Sequence, residues 1–367
     1  MKNTCLELVF PAVVGKEVCA RWDGGDITSD AGVLLVSLAD RRLGLTEAMA
    51  DCINDTRQQS KVEHSTVEIT RERVYAICQG YEDANDLDVL GCDPALKTAC
   101  TRLPNAGADL ASQPTISRFE NMACAKDQVR MAKRMAQRVI SRLGLGTRRV
   151  ILDVDPTDAP CHGQQEFEFF NGHYGEHCYL PLHVHITGDD GRQRILGSLL
   201  RPGNSSATRG LRGVLRIAVR LLRKRVPNAR IILRADSAFG VCAVLEMCDE
   251  LGIDEDVYEF YCAGGEQENR IKEMKLDLSS GRTSCCRFLA NQFRLLMHTA
   301  ACMLMCVLQD ALAGTRWAKA QIGTLRARLL KVGARIAETT RKIWFHLPSS
   351  FPEQDAWRRM YAALVSD

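Results

Sequence analysis

The sequence predicts a mixed α/β protein, and three observations lead there. Val150-Ile151-Leu152-Asp153-Val154-Asp155 and Ile231-Ile232-Leu233-Arg234-Ala235-Asp236 are apolar runs of strand length that each end in a carboxylate. Helical periodicity dominates the chain before residue 146 and returns after residue 285. Of the 367 residues, 46% are hydrophobic and 25% charged, ordinary for a globular protein large enough for two or three domains.

In chain order, residues 1–30 read as extended and turn-rich, with a turn at Asp23-Gly24-Gly25-Asp26. Ser29-Asp30 caps a helix over Gly32–Leu43 that Gly44 closes, and further helices fit Thr46–Cys52, Ser65–Gln79 and Asp93–Thr101. Ser112-Gln113-Pro114-Thr115 opens a helix through Phe119. A longer one, Lys126–Leu143, carries Arg130, Lys133, Arg134, Arg138 and Arg142 on one face. Gly144 and Gly146 mark a boundary, and strands follow. These are Arg149–Asp155, then after a polar and aromatic loop (Pro156–Glu176) Cys178–Ile186, a turn at Gly188-Asp189-Asp190-Gly191, and Arg194–Leu200. Helix Gly210–Arg225, strand Arg230–Asp236 and helix Gly240–Leu251 complete a hairpin meander followed by a helical crossover. That is the order of a ribonuclease-H-like mixed sheet. Helices are then expected over Glu266–Lys275, Cys285–Leu312, Thr324–Lys342 (basic and amphipathic) and Trp357–Val365. The implied organisation is a mainly helical region over 1–146, the sheet core over 147–312 and a basic helical tail over 313–367.

Net charge is only +3, so any affinity for nucleic acid must be local. Arg209–Arg230 holds eight basic residues and no acid, and Arg316–Lys342 eight against Glu338 alone. Each cluster can dock phosphates or be a solvated helix face. The 16 cysteines contain no C-x-x-C, so reduced thiols fit better than a zinc knuckle or a disulfide framework. No G-x-x-x-x-G-K-[ST] or G-x-S-x-G occurs. The apolar run Ala300–Leu308 is too short to cross a bilayer, and a soluble cytoplasmic, nucleoid-associated protein is expected. His162, His173, His177, His183 and His185 match no zinc spacing and read as surface or substrate-contacting. His183 and His185 alternate with Leu182 and Val184 as on a half-exposed strand.

Ile151, Asp153 and Asp155 share one strand face, and two acids on one face repel unless a cation or solvent screens them. The strand ending in Asp236 is expected beside the first, and a later helix carries Glu268. Hard oxygen ligands suit Mg²⁺ or Mn²⁺, and a pair of such ions drives in-line displacement at phosphorus. Asp155, Asp236 and Glu268, with Asp153 as a further ligand, are the candidates. The basic residues beside them, Arg212, Arg216 and Arg220 on the crossover helix and Arg270, Lys272 and Lys275 around Glu268, are candidate DNA contacts together with Tyr261.

These residues resemble the bacterial insertion-sequence transposases of the DDE superfamily, group-1 branch. The likeness covers Phe10-Pro11 with Gly15-Lys16, Asp23-Gly24-Gly25, Ile27-Thr28-Ser29-Asp30-Ala31-Gly32, Arg73-Val74-Tyr75-Ala76-Ile77 and Gly80-Tyr81-Glu82-Asp83-Ala84-Asn85-Asp86. It continues in Ala111–Asn121, Leu152–Asp158, Arg234–Phe239, Glu268–Glu273 and Ala290–Arg294. The resemblance implies cut-and-paste transposition, with metal-bound Asp, Asp and Glu cutting at terminal inverted repeats and joining the freed 3′ hydroxyls to target DNA. It also implies synapsis of two ends by a homodimer. The family's Asp-x-Thr falls on Asp155 and Thr157, its second Asp on Asp236, and its Tyr, Arg, Glu, Lys pattern on Tyr261, Gly264, Glu268 and Lys275. Glycine thus replaces the arginine. Relatives carry a long β-rich insertion before the Glu helix, whereas 31 residues separate Asp236 from Glu268 here. The chain therefore reads as an internally deleted copy lacking the insertion and the fifth core strand. Competing readings are a metal-dependent nuclease and a catalytically impaired DNA binder that competes with an intact copy.

Overall fold

The computed structural model describes residues 7–235, 239–256 and 270–366, without the side chains of 255 and 256. It begins with a hairpin, β1 (Leu8–Val13) and β2 (Lys16–Ala20), turned at Val14-Gly15 with both residues at positive φ (49° and 74°). A short strand, β3 (Ile27–Thr28), leads into helices α1 (Val33–Leu43), α2 (Leu45–Ala50), α3 (Thr66–Gln79), α4 (Leu87–Leu90), α5 (Pro94–Ala99), α6 (Gln113–Glu120) and α7 (Ala125–Ile140). Local chemistry sets their ends. The Ser65 hydroxyl accepts from the Glu68 N–H to start α3. Asp93 accepts from Ala95 and Leu96 ahead of α5, where Pro94 takes the first helical position. Gly44, at φ 59°, ends α1 and opens α2.

The central sheet follows: β4 (Arg149–Pro156) and, after a small side sheet of β5 (Ala159–Pro160), β6 (Phe169–Asn171) and β7 (Glu176–Tyr179), β8 (Leu182–Thr187) and β9 (Gln193–Leu199). Helix α8 (Leu211–Arg225) crosses to β10 (Arg230–Ala235), and α9 (Cys242–Leu251) to β11 (Asp254–Asp256). The strand order is β11-β10-β4-β8-β9. β4 pairs antiparallel with β8 and parallel with β10, so the meander and crossover expected from sequence are present. The long helix α10 (Phe288–Ala311) is buried at every position from Ala290 to Gln309, as expected of a helix apolar around most of its circumference. It packs on α3 and α1 on one side and on β9 and α7 on the other. One apolar cluster therefore runs from Val33 to Leu364.

Four expectations need correction. The strand Cys178–Ile186 breaks at Pro181, which has no N–H for a ladder, so β7 leaves the main sheet and orders part of the expected loop. The fifth core strand is not missing: β11 pairs in parallel with β10. Its acidic sequence gives no apolar signal, and only the free edge of β10 recruits it. The tail is not one helix over 324–342. Helical turns, ending in a π-type turn, span Ile322–Leu330, and a hairpin of β12 (Ala334–Glu338) and β13 (Ile343–His346) then pairs with β3. Ala334 and Ile336 point inward and Arg335 outward, a period of two that the basic composition masked. A last helix, α11 (Gln354–Val365), matches expectation. Finally, His183 and His185 are 1% and 0% exposed, so β8 is buried on both faces and not half-exposed.

Candidate active site

The alternation in β4 sorts its side chains. Val150, Leu152 and Val154 join Ile231 and Leu233 of β10 and Leu182, Val184 and Ile186 of β8 on the apolar face. Val129, Ala132 and Ala136 of α7 and Val214, Ile217 and Ala218 of α8 line that side over β8 and β9. The opposite face carries Asp153 and Asp155. In register with them stand His185 and His183 of β8, and beside Asp153 stands Arg234 of β10.

Asp155 is half-buried at the C-terminal end of β4 and has an interaction partner within the chain. Asp153 is fully buried; Gln193 Nε2 donates to its Oδ2 at 3.0 Å and Arg234 Nε donates to its Oδ1. The β4–β10 pairing runs to Ala235 opposite Val154, one residue short in sequence of both Asp155 and Asp236. Asp236, Tyr261, Gly264 and Glu268 lie outside the described residues. Among the described residues no group of three or more histidine, cysteine or carboxylate side chains forms a metal site.

His183 Nδ1 lies 2.8 Å from Ser198 Oγ, which also accepts from Thr299 of α10 at 2.9 Å. Burial, then the nearby Lys275 and Arg201, depress His183 to about 4. Burial, then His183 and Arg270, depress His185 to about 3. Both rings are therefore neutral at pH 7.

The basic candidates divide. Lys275 is held by Asp158 at 2.8 Å, which ties the helical stretch beginning at Arg270 to the chain just past Asp155. Arg270 donates to Glu273 at 2.7 Å and to Gln309 at 2.5 Å. Burial opposes its charge, but Cys306 and Glu273 outweigh that and hold its pKa above the ordinary value. Lys272 is exposed and has a partner within the chain. Arg212 and Arg216 share Glu250 at 3.0 and 2.5 Å on the solvent face of α8, and Arg220 is exposed on the same helix. Arg142, expected on the basic helix face, lies just past the end of α7 and binds Asp310 at 2.9 Å. Sequence reasoning assigned no role to Asp158; its signal was its place in the Asp155-Pro156-Thr157-Asp158 run.

Several shared motifs are glue. Arg73 Nε donates to Glu120 at 3.1 Å, Arg294 approaches the same carboxylate at 3.8 Å, and all three are at most 5% exposed, so α3, α6 and α10 share one buried ion cluster. Asp30 accepts from Tyr81 at 2.9 Å and pairs with Lys331 at 2.6 Å, joining the N-terminal helices to the tail. A Cβ on Gly32 would sit 2.2 Å from Leu330 Cα, so that position admits only glycine. Gln292 Oε1 accepts from Leu200 N at 2.6 Å, and Asn291 bonds Cys285 and Gln165, fixing α10 to the end of β9 and to the segment between β5 and β6.

Among described helices none is long and apolar enough to cross a membrane. No curated protein matches the chain. Solved structures similar to it include a pre-cleavage Mos1 transpososome, at 12% identity over 61% of this chain and 77% of that one, with a TM-score of 0.21. Another is a Mos1 transposase paired-end complex with the left transposon end, at 12% identity over 68% and 80%, TM-score 0.22. A third is a Mos1 mariner paired-end complex with Mn, at 11% over 68% and 80%, TM-score 0.21. The family described as transposase DDE domain, group 1, matches residues 10–255 and 250–366. With nearly its whole length matched, the chain belongs to the group-1 DDE transposases.

Proposed function

We propose that the chain is a cut-and-paste DNA transposase with a ribonuclease-H-like core. It would cut strands at terminal inverted repeats and join the freed 3′ hydroxyls to target DNA, with two copies holding two ends. The observation that carries this reading is the strand-end geometry. β4 and β10 run parallel and in register up to the residue before each Asp, and the Lys275–Asp158 bridge anchors the segment downstream of Glu268 at the same strand end. The sheet order, three antiparallel strands extended by two parallel ones through helices, supports the same architecture.

Asp155, Asp236 and Glu268 would hold Mg²⁺ or Mn²⁺. An all-oxygen donor set with a half-buried carboxylate at a strand tip fits a hard cation. When bound, such ions activate the attacking oxygen and stabilise the leaving one. The rest falls to the protein. Neutral His183 adds no positive charge to compete with a cation beside Asp155. Lys275 keeps Asp158 neutralised, Arg270 braces its helical stretch against α10 through Gln309, and Arg212, Arg216, Arg220, Lys272 and Tyr261 position the DNA backbone. Arg212 and Arg216 would exchange their shared Glu250 for phosphate.

One observation favours a second reading. The family match is interrupted, with its two segments meeting at 250–255, and only 31 residues separate Asp236 from Glu268. A copy that lost catalytic parts at this junction would bind ends without cutting them. Purified protein is incubated with Mg²⁺ or Mn²⁺ and DNA carrying the repeats that flank the gene. Metal-dependent nicking that Asp155→Ala or Asp236→Ala abolishes, with end binding retained, supports the transposase. A mobility shift without nicking in the unmutated chain establishes the inhibitor.

A further inference from the structure

Asp153 and Arg234 meet across the β4–β10 pairing, two residues before Asp155 and Asp236, on which the transposase reading rests. Three strands surround the Asp153 carboxylate. Arg234 of β10 reaches one oxygen, Gln193 of β9 donates to the other at 3.0 Å, and His185 of β8 stands opposite in the register. The Asp153 side chain is 0% exposed and Arg234 15%. Both His185 nitrogens are buried without a hydrogen-bond partner among the described residues. A divalent ion at Asp153 would have to displace a guanidinium already seated there, and the two positive charges would repel.

The sheet has a specific need for such a pair. A one-residue slip of β4 against β10 turns every side chain to the wrong face, so the alternation of Val150, Leu152 and Val154 with Ile151, Asp153 and Asp155 forbids it. A two-residue slip keeps that alternation and is invisible to apolar patterning. It would set Arg234 beside Ile151 or Asp155 and leave Asp153 buried without its cation, the arrangement that low dielectric penalises most.

We propose that Asp153 and Arg234 are positioning residues, a buried ion pair that locks the two-residue register of β4 against β10. The pair thereby fixes where Asp155 leaves the sheet relative to the end of β10. Asp153 is then not a metal ligand. The proposal rests on the assignment of Asp155 to the reaction, and its test separates the two.

The full-length chain is compared with Asp153→Asn, Arg234→Gln, Arg234→Lys and the double variant Asp153→Asn/Arg234→Gln. The measurements are the urea midpoint, Mn²⁺ binding by electron paramagnetic resonance, and Mg²⁺-dependent nicking of end DNA. Each single neutralisation lowers the midpoint and slows nicking by about 100-fold, the cost of a displaced reacting group. The double variant regains stability over either single one, because no uncompensated charge stays buried. Arg234→Lys recovers part of the nicking that Arg234→Gln loses, and Asp153→Asn and Arg234→Gln change Mn²⁺ affinity to the same extent, as a displaced Asp155 requires. The lock is refuted if Asp153→Asn loses Mn²⁺ affinity that Arg234→Gln keeps, or if the double variant is no more stable than the singles. If the unmutated chain never nicks DNA, the transposase reading fails, and the stability comparison and Mn²⁺ binding still decide the lock.

Discussion

On one side of β4, Val150, Leu152 and Val154 are 0–1% exposed on the sheet face whose β8 and β9 part is lined by helices α7 and α8; on the other, Asp153 and Asp155 stand among two histidines, an arginine and the Gln193 amide. Both faces are largely closed to water, but by different means. The apolar face gains from every buried methylene and demands no directional bond. The polar face must answer each buried charge with a partner, and its two histidines remain neutral because burial forbids the proton. Stability is thus concentrated on the helix-covered apolar face, while the groups able to do chemistry sit on the face toward α10 and the Arg270–Asp277 turn.

Acid tests that division most severely. His183, His185 and His298 have folded values of about 4, 3 and 3, each lowered first by burial, against an ordinary 6.5. Below pH 6.5 the unfolded chain binds protons that the folded chain refuses, so their contribution is complete above that pH and lost as pH falls toward 4. Glu72 has the opposite sign. Burial raises it from 4.5 to about 8, so its contribution is lost as pH rises through that window. Asp93 and Glu273, also raised by burial, share the sign of Glu72 but are shifted less, so the three histidines prevail and stability should fall on acidification by roughly 1–2 kcal/mol per pH unit near pH 5.5. Urea midpoints at half-unit intervals from pH 5 to 7 measure this. A flat profile would show that water reaches the polar face.

Leu152→Ala comes next, at about 2–5 kcal/mol, because a fully buried leucine leaves a cavity between sheet and helices. Its counterpart, His185→Leu, should cost less than about 1.5 kcal/mol, since His185 forfeits no hydrogen bond among the described residues. Equilibrium denaturation of the two variants side by side sharpens the contrast, and equal losses would erase it. The smallest effect belongs outside both faces. Arg220→Ala should leave stability within about 0.5 kcal/mol yet reduce the salt slope of end-DNA binding by about one, the signature of a phosphate contact. Fluorescence anisotropy across a salt series reads it.

Much of this was legible beforehand. β4 and β10 follow from β-branched runs bounded by turns, β9 from the turn before it, and α3 and α5 from caps at Ser65 and Asp93. α1 was legible from Gly44 at its end, but its N-cap is Gly32 and not Ser29-Asp30, whose carboxylate binds Tyr81 and Lys331 instead. Asp155 was legible as a candidate because an apolar strand delivers it. The roles of Arg73, Glu120 and Arg294 were not, because a charge buried against residues 47 positions away looks in sequence like any other charge. Nor was the Asp153–Arg234 pair, which spans 81 positions and exists only once the strands lie side by side.

Local pattern was enough for most helices, for β4 and β10, and for the apolar face of β4, because those choices depend on neighbours two to four residues away. Tertiary structure decided what no local pattern encodes. It recruited Asp254–Asp256 to the free edge of β10, bent the basic tail into a hairpin against β3, and chose which buried charges meet. The physical reason is that an edge hydrogen bond or a buried ion pair has its energy only when a distant partner is present, and a short window of sequence never contains that partner.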